Sequence, residues 1–333
     1  MSDRSQSVTP AAASRPGVET FRARRRIAPY VRRTPLVPSA WLTGVSGARV
    51  SLKLESLQIE SSFKARGAFN AVIARLERGE ITPASTLVTA SAGNHGRALA
   101  AAAAAFRLPL VVFTPHDAPQ AKASAIRRHG ADLRADGRDY DHAEVLAKTF
   151  AAETGAAFIS PYSDPDVIAG AATIALEILE DAPDTDMVVV PIGGGGLVSG
   201  IASAAKAIAG TVLVVGVELE VSHVFQDSVR AGRLVEIDAG ASLADGLGGN
   251  ADPETITLAI IQQYVDRIVT VSEDDLRNAV AGLVEHEHLV AEGAGAAATA
   301  ALLGRRIDDV HDRRVVVIVS GSNIDRARLA ALL

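Results

Sequence analysis

The chain has 333 residues, no cysteine, 48% hydrophobic residues and a formal net charge of -6 at pH 7. The missing cysteines exclude disulfides, thiolate metal sites and a cysteine nucleophile, and the mild acidity excludes a whole-surface nucleic-acid binder. No charge-free apolar run is long enough to span a membrane, and the opening MSDRSQSVTPAAASRPG lacks a signal peptide's apolar core, so residues 1–17 are expected to be a disordered leader and the protein to be cytoplasmic.

A helix is predicted over 18–30, ended by Pro29 and Pro35. Its arginines, Arg22, Arg24, Arg25 and Arg26, with Arg32 and Arg33 beyond, read as a solvated face, since no nucleic-acid-binding motif accompanies them. A short strand follows over 50–54, then a helix over 69–78 closed by Gly79. From there strands over 86–89, 110–113, 132–134 and 158–160 alternate with helices over 94–105, 118–129 and 139–154. A break rich in Pro and Asp occupies 161–166. Strands over 187–191, 212–217 and 315–320 then alternate with helices over 167–179, from the glycine run to 209, and over 252–264, 273–286 and 295–303. Strand–helix repetition with glycine-closed helices implies an α/β protein, two three-layer domains with mostly parallel sheets. The expected small domain is 85–160, and the large domain combines 18–84 with 161–333. No regulatory domain is expected after the last strand.

Four segments carry chemistry. In the first, a buried strand runs into Gly193, Gly194, Gly195 and Gly196, and a helix follows from Leu197. Successive N–H groups can converge there without side chains in the way, at a helix N-terminus that favours anions. It is neither a Walker loop nor a spaced dinucleotide loop; a flexible turn without ligand is the bland alternative. The second segment holds Ser62, Phe63, Lys64, Ala65, Arg66, Gly67 and Ala68. Taken alone, Lys64 is an ordinary surface lysine; burial beside Phe63 would lower its pKa and make it a usable amine nucleophile. In the third, Ser91, Ala92, Gly93, Asn94, His95 and Gly96 join a strand to a helix, where small residues let an anion meet backbone N–H groups. Asn94 read alone can act as a helix N-cap. The fourth places Ser320, Gly321, Ser322 and Asn323 at a strand's carboxyl end, where α/β sheets bind ligands; a plain turn is the alternative.

Together, in this order, the four segments resemble the fold-type-II pyridoxal-phosphate enzymes of the threonine dehydratase and serine racemase family, over nearly the whole chain. The resemblance implies a tryptophan synthase β-subunit-like fold and pyridoxal 5′-phosphate held on Lys64 as a Schiff base. It implies Phe63 against the cofactor, Gly193 to Gly196 and the Leu197 amide on the phosphate, Asn94 on the ring 3-hydroxyl and Ser320 at the pyridine nitrogen. The substrate carboxylate would sit at Ser91, Ala92, Gly93, Asn94 and His95. Segments around Asp245 and Glu292 also resemble family segments near the cofactor. The implied reaction is β-elimination from a hydroxy amino acid such as L-threonine or L-serine, giving a 2-oxo acid and ammonia. The implied partner is a small amino-acid substrate, with no nucleic acid and no membrane, and a homodimer is expected.

Three departures narrow this reading. Ala92 stands where serine racemases carry a second, proton-shuttling serine, so racemisation is expected to be weak. Ala143 stands near the position of an arginine that can hold a second carboxylate in the racemase and hydroxyaspartate branch, so a dicarboxylic substrate is not expected. Glu218 is present where many relatives bind a divalent cation, but Val224 replaces a later acidic residue, and hard cations need several oxygens; no metal is expected. Residues 21–28 and 243–249 also resemble hydroxyectoine-utilisation dehydratases. Ser322 keeps β-replacement open, and a cofactor-binding sensor without turnover is the non-enzyme alternative.

Overall fold

Alternate residues of the valine-rich strand Met187–Pro191 enter two different cores, Met187 and Val189 one, Val188 and Val190 the other. That two-faced burial is the mark of a parallel sheet covered on both sides. The computed structural model of the chain describes residues 16–118 and 120–333. The expected leader lies outside the described residues except for Pro16 and Gly17, which the first helix takes up.

The helices are α1 (Pro16–Ile27), α2 (Ala40–Ser46), α3 (Lys64–Arg78), α4 (Asn94–Ala105), α5 (Gln120–Arg127), α6 (Tyr140–Thr154), α7 (Pro165–Asp181), α8 (Gly196–Ile208), α9 (Val224–Ala231), α10 (Thr257–Tyr264), α11 (Glu273–Glu287), α12 (Gly293–Leu303) and α13 (Arg326–Ala330). The strands are β1 (Leu36–Pro38), β2 (Arg49–Lys53), β3 (Leu87–Ala90), β4 (Leu110–Pro115), β5 (Asp132–Gly137), β6 (Ala157–Phe158), β7 (Met187–Pro191), β8 (Leu213–Leu219), β9 (Arg267–Val271) and β10 (Arg314–Ile318). They form a six-stranded sheet in the order β1-β2-β10-β7-β8-β9 and a four-stranded sheet in the order β5-β4-β3-β6. Every pairing is parallel except β1 with β2. In the larger sheet α2, α11 and α12 cover one face and α7 and α8 the other. In the smaller sheet Leu87, Leu110 and Val112 pack toward α3 and α4, while Val88, Ala90, Val111 and Phe113 pack toward α6.

α3 joins the two halves, because it packs on both α4 and α7. Its crossing with α7 is tight: a Cβ on Gly170 would come within 2.4 Å of the Arg66 carbonyl oxygen. That approach delivers Arg66 into a buried charge cluster. Its guanidinium donates to Glu55 at 2.8 Å and to Glu177 at 2.7 and 2.9 Å. Lys53 Nζ donates to Glu177 at 2.6 Å. Burial pushes Lys53 down, while the upward push of burial on Glu177 is outweighed by its Arg66 hydrogen bonds. The cluster contains two cations and two carboxylates and so is neutral in sum.

Several boundaries differ from the sequence reading for physical reasons. α3 starts at Lys64 rather than residue 69, since packing on α7 overrides the weak helix propensity of Gly67. α10 starts at Thr257 rather than 252, because Asp252 is tied to Lys148 and to the Tyr162 hydroxyl. The N-cap residue of α9, His223, makes no side-chain cap hydrogen bond; the Glu218 carboxylate on β8 accepts from the N–H groups of Phe225 and Gln226 instead.

Arg66→Met leaves Glu55 and Glu177 buried without their shared cation. We expect a loss of about 3–5 kcal/mol of stability, measured as a lowered midpoint in urea unfolding.

Candidate active site

The four segments meet at the carboxyl ends of the parallel strands. Lys64 opens α3, and the residues before it are held in an unusual turn. Glu60 and Ser61 adopt φ values of 53° and 56°, the left-handed region that costs non-glycine residues roughly 1–2 kcal/mol each. The Ser61 carbonyl accepts from Ser322 N at 2.9 Å, and the Glu60 carbonyl from Asn323 Nδ2 at 2.9 Å. Ser62 then bridges Gly321, and Phe63 N donates to the Ser320 carbonyl at 3.1 Å. The lysine segment and the late serine segment, far apart in sequence, are thereby locked side by side.

Lys64 is half-buried, and its Nζ donates to the Pro161 carbonyl at 2.7 Å. The same Nζ lies 5.1 Å from the Phe63 ring centroid. Burial lowers the amine to about 8. Tyr162, the next residue after Pro161, carries the contact onward to the glycine run. A Cβ on Gly194 would fall 2.2 Å from the Tyr162 ring, and Gly195 turns with φ 86°, so neither position tolerates a side chain. Thr257 Oγ1 donates to the Gly194 carbonyl at 2.9 Å, which holds that peptide's orientation. Among the described residues none accepts from the N–H groups of Gly193, Gly194 and Gly195. Gly196 and Leu197 add the first N–H groups of α8, which carries no acidic residue in its first turn. The result is a set of N–H groups at a helix start, unpaired among the described residues, an arrangement suited to an anion.

At the third segment Gly93, not Asn94, is the N-cap of α4. Ser91 Oγ shapes the turn by accepting from Gly93 N at 3.2 Å and Gly96 N at 2.9 Å. The Asn94 amide is free for other work: Nδ2 donates to Glu292 Oε1 at 2.5 Å, and Oδ1 accepts from Asn323 Nδ2 at 2.6 Å. Ala92 and Gly93 are half-buried, and His95 is buried. Burial, then the Lys64 charge, push His95 down to about 3, so its imidazole is neutral. Ser320 is 4% exposed, with Oγ 3.4 Å from the Ala294 carbonyl. A separate cleft of about 390 Å³, lined by Arg49, Asp184 and Arg314 among others, lies at the amino ends of β2, β7 and β10, away from this constellation.

A sequence profile of the family described as "Pyridoxal-phosphate dependent enzyme" matches residues 27–321. The chain belongs to that family. Its cofactor is therefore pyridoxal phosphate, and its fold is tryptophan synthase β-like. This pyridoxal-phosphate dependent enzyme is 41% identical over 303 residues to an L-threonine ammonia-lyase of Thermotoga maritima, covering 91% of this chain and 74% of that one. It is 34% identical over 318 residues to the catabolic L-threonine dehydratase TdcB of Staphylococcus aureus, covering 93% and 90%. Among solved structures, maize serine racemase superposes with a TM-score of 0.88 at 31% identity, covering 95% of each chain. A threonine deaminase from T.th. superposes with a TM-score of 0.83 at 37% identity, covering 92% and 98%.

The sequence reading missed Tyr162 and Arg97 altogether. Tyr162 sat in what read as a mere break, although a Pro-Tyr pair between strand and helix marked a fixed corner. Arg97, three residues after Asn94 on α4, reaches Asn323 Oδ1 at 2.5 Å. The Glu218 carboxylate is used on α9 and is raised to about 7 by burial. Among the described residues no group of three or more His, Asp or Glu side chains is arranged to hold a metal.

Gly194→Ala is expected to weaken pyridoxal-phosphate binding by at least about tenfold, since misdirecting one charge-assisted hydrogen bond costs about 1.5–3 kcal/mol. Equilibrium titration of apoprotein with cofactor measures this. Because only the neutral amine is nucleophilic, cofactor capture by apoprotein should accelerate as pH rises and level off above about 8, the Lys64 value.

Proposed function

We propose that this protein is an ammonia-lyase that eliminates the β-hydroxyl of L-threonine or L-serine and releases a 2-oxo acid and ammonia. The observation that carries the reading is the half-buried Lys64 amine, lowered to about 8, beside a four-glycine anion cradle. The similarity to L-threonine ammonia-lyases over nine-tenths of the chain supports the substrate class.

The site fits the cofactor through its own geometry. The N–H groups of Gly193 to Leu197 suit a phosphate, the Lys64 amine suits a covalent link to an aldehyde, and the Phe63 ring, the Asn94 amide and the Ser320 hydroxyl suit a flat heteroaromatic ring. Bound pyridoxal phosphate supplies an electron sink next to the substrate Cα. Lys64 Nζ takes the Cα proton; at a pKa near 8 it cycles protons at neutral pH without a large energetic penalty. The Ser91–His95 turn holds the substrate carboxylate on N–H groups at the start of α4, whose first turn has no acidic residue. Neutral His95 adds no charge there. Ser320 offers the pyridine nitrogen a hydroxyl, which cannot hold a proton on it as a carboxylate would. Ala92 has no proton to give on the opposite face of Cα.

Further readings belong to the same proposal. Residues 85–160 form a small domain against a large domain of 18–84 and 161–333. The cytoplasmic setting is supported by composition, and no described helix is long and apolar enough to cross a membrane. The homodimer is supported by the resemblance alone. The stretches 21–28 and 243–249 support placement in the hydroxyectoine-utilisation branch, with a related hydroxy amino acid as substrate. β-Replacement is disfavoured at Ser322, whose hydroxyl donates to the Ser56 carbonyl at 3.0 Å.

A panel of β-hydroxy amino acids scored for ammonia and 2-oxo acid tests the reading. Turnover of threonine or serine, abolished by Lys64→Ala, is expected; a panel without ammonia release from a cofactor-loaded protein would contradict it. Wild-type protein should form almost no D-serine, and Ala92→Ser should raise that formation by about tenfold or more, the usual scale of a positioned proton donor being about 10²–10⁴-fold.

A further inference from the structure

Arg97 and Asn323 belong to a hydrogen-bonded chain whose direction can be worked out from chemistry alone. A guanidinium only donates. Arg97 Nη1 donates to Asn323 Oδ1 at 2.5 Å, and Nη2 to Glu60 Oε2 at 3.3 Å. His129 Nε2 lies 3.0 Å from the other Glu60 carboxylate oxygen. The Asn323 carbonyl oxygen must therefore face Arg97, and its NH2 must face away. Two acceptors wait there: the Glu60 backbone carbonyl at 2.9 Å and Asn94 Oδ1 at 2.6 Å. Rotating the Asn323 amide by half a turn would set oxygen against both carbonyls and NH2 against the guanidinium. The same logic passes to Asn94. Its oxygen is committed to Asn323, so its NH2 points the other way and donates to Glu292 Oε1 at 2.5 Å. A carboxylate accepts and does not donate. Each link is partly shielded from water, which strengthens a chain of this kind.

We propose that Arg97 and Asn323 are positioning residues that fix the Asn94 amide with its NH2 toward the ring oxygen of the bound cofactor. This rests on the reading that Asn94 faces that oxygen. An NH2 carries two hydrogens; Glu292 takes one, and the other remains for the ligand. A donor there favours the anionic form of the ring oxygen. A reversed amide would present its own oxygen, and the ring oxygen would have to keep a proton to meet it. The relay thus selects the protonation state of the cofactor from a guanidinium that reaches Asn94 only through Asn323.

The test is absorbance of the holoprotein, comparing the visible band of the anionic ring oxygen with the near-ultraviolet band of the protonated one. Asn323→Asp keeps the shape and pairs with Arg97 but offers Asn94 no N–H. Arg97→Met removes the donor, and Arg97→Lys retains one. The ratio of visible to near-ultraviolet absorbance should fall about tenfold in Asn323→Asp and Arg97→Met, the scale of one misdirected buried hydrogen bond, and return toward wild type in Arg97→Lys. Asn94→Ala should shift the same way. A shift in Asn94→Ala with wild-type spectra in Asn323→Asp and Arg97→Met overturns the relay alone. Unchanged spectra in Asn94→Ala overturn both the relay and the assignment of Asn94. Equal shifts in Arg97→Met and Arg97→Lys overturn it too, because packing rather than donor direction would then be at work. For a variant that fails to retain cofactor, the side-chain amide protons of ¹⁵N-labelled asparagine in apoprotein give the answer: slow exchange at Asn94 in wild type, lost in Arg97→Met, supports the relay, and unchanged exchange refutes it.

Discussion

Arg66 and Glu177, 111 residues apart in sequence, share the contact on which the remaining geometry depends. Arg66 lies two residues after Lys64 on α3, and Glu177 lies on α7, so their hydrogen bonds set where α3 begins and which way its first turn points. Glu55 and Lys53 bring β2 and the segment after it into the same knot. A buried ion pair is a weak source of net stability, yet breaking one partner away is costly. Its value here is directional: a planar guanidinium held by two carboxylates leaves little freedom in the helix that carries the amine.

From that anchor the site assembles by short steps. The left-handed Glu60–Ser61 turn brings Ser62 to Gly321. The Lys64 amine meets the Pro161 carbonyl, Tyr162 covers the glycine run, and Thr257 fixes a glycine peptide. These steps draw on segments near residues 60, 161, 194, 257 and 321, far apart in sequence. The polarity is also consistent. Donors gather where an anion would sit, and the lysine stands in surroundings that favour its neutral form. Backbone strain in the turn before Lys64 is tolerated because four separate partners hold it, as is common where geometry serves a site.

Much of this was legible in the sequence where the signal was local. The strand before the glycine run was legible, because the consecutive valines of MVVVP read as a buried strand and the glycines mark where it ends. Helix α4 was read to its observed limits, since alanine propensity and the glycine before Asn94 agree. What was not legible depended on distant partners. Nothing near residues 224–231 says that a glutamate on β8 will cap them, so α9 went unread. Tyr162 looked like part of a loop because its role arises from Gly194, which is close only in space. Taken alone, Asn94 could equally be a cap; only the fold shows that Gly93 takes the cap position, Ser91 shapes the turn and the Asn94 amide goes to Asn323 and Glu292.

In the proposed function Lys64 is the amine that holds the cofactor. Reducing the holoprotein with borohydride and mapping its peptides by mass spectrometry tests this directly. The expected result is a phosphopyridoxyl adduct confined to the peptide containing Lys64 and absent from Lys64→Ala protein. An adduct on another lysine, or none in protein shown to be loaded with cofactor, would contradict it.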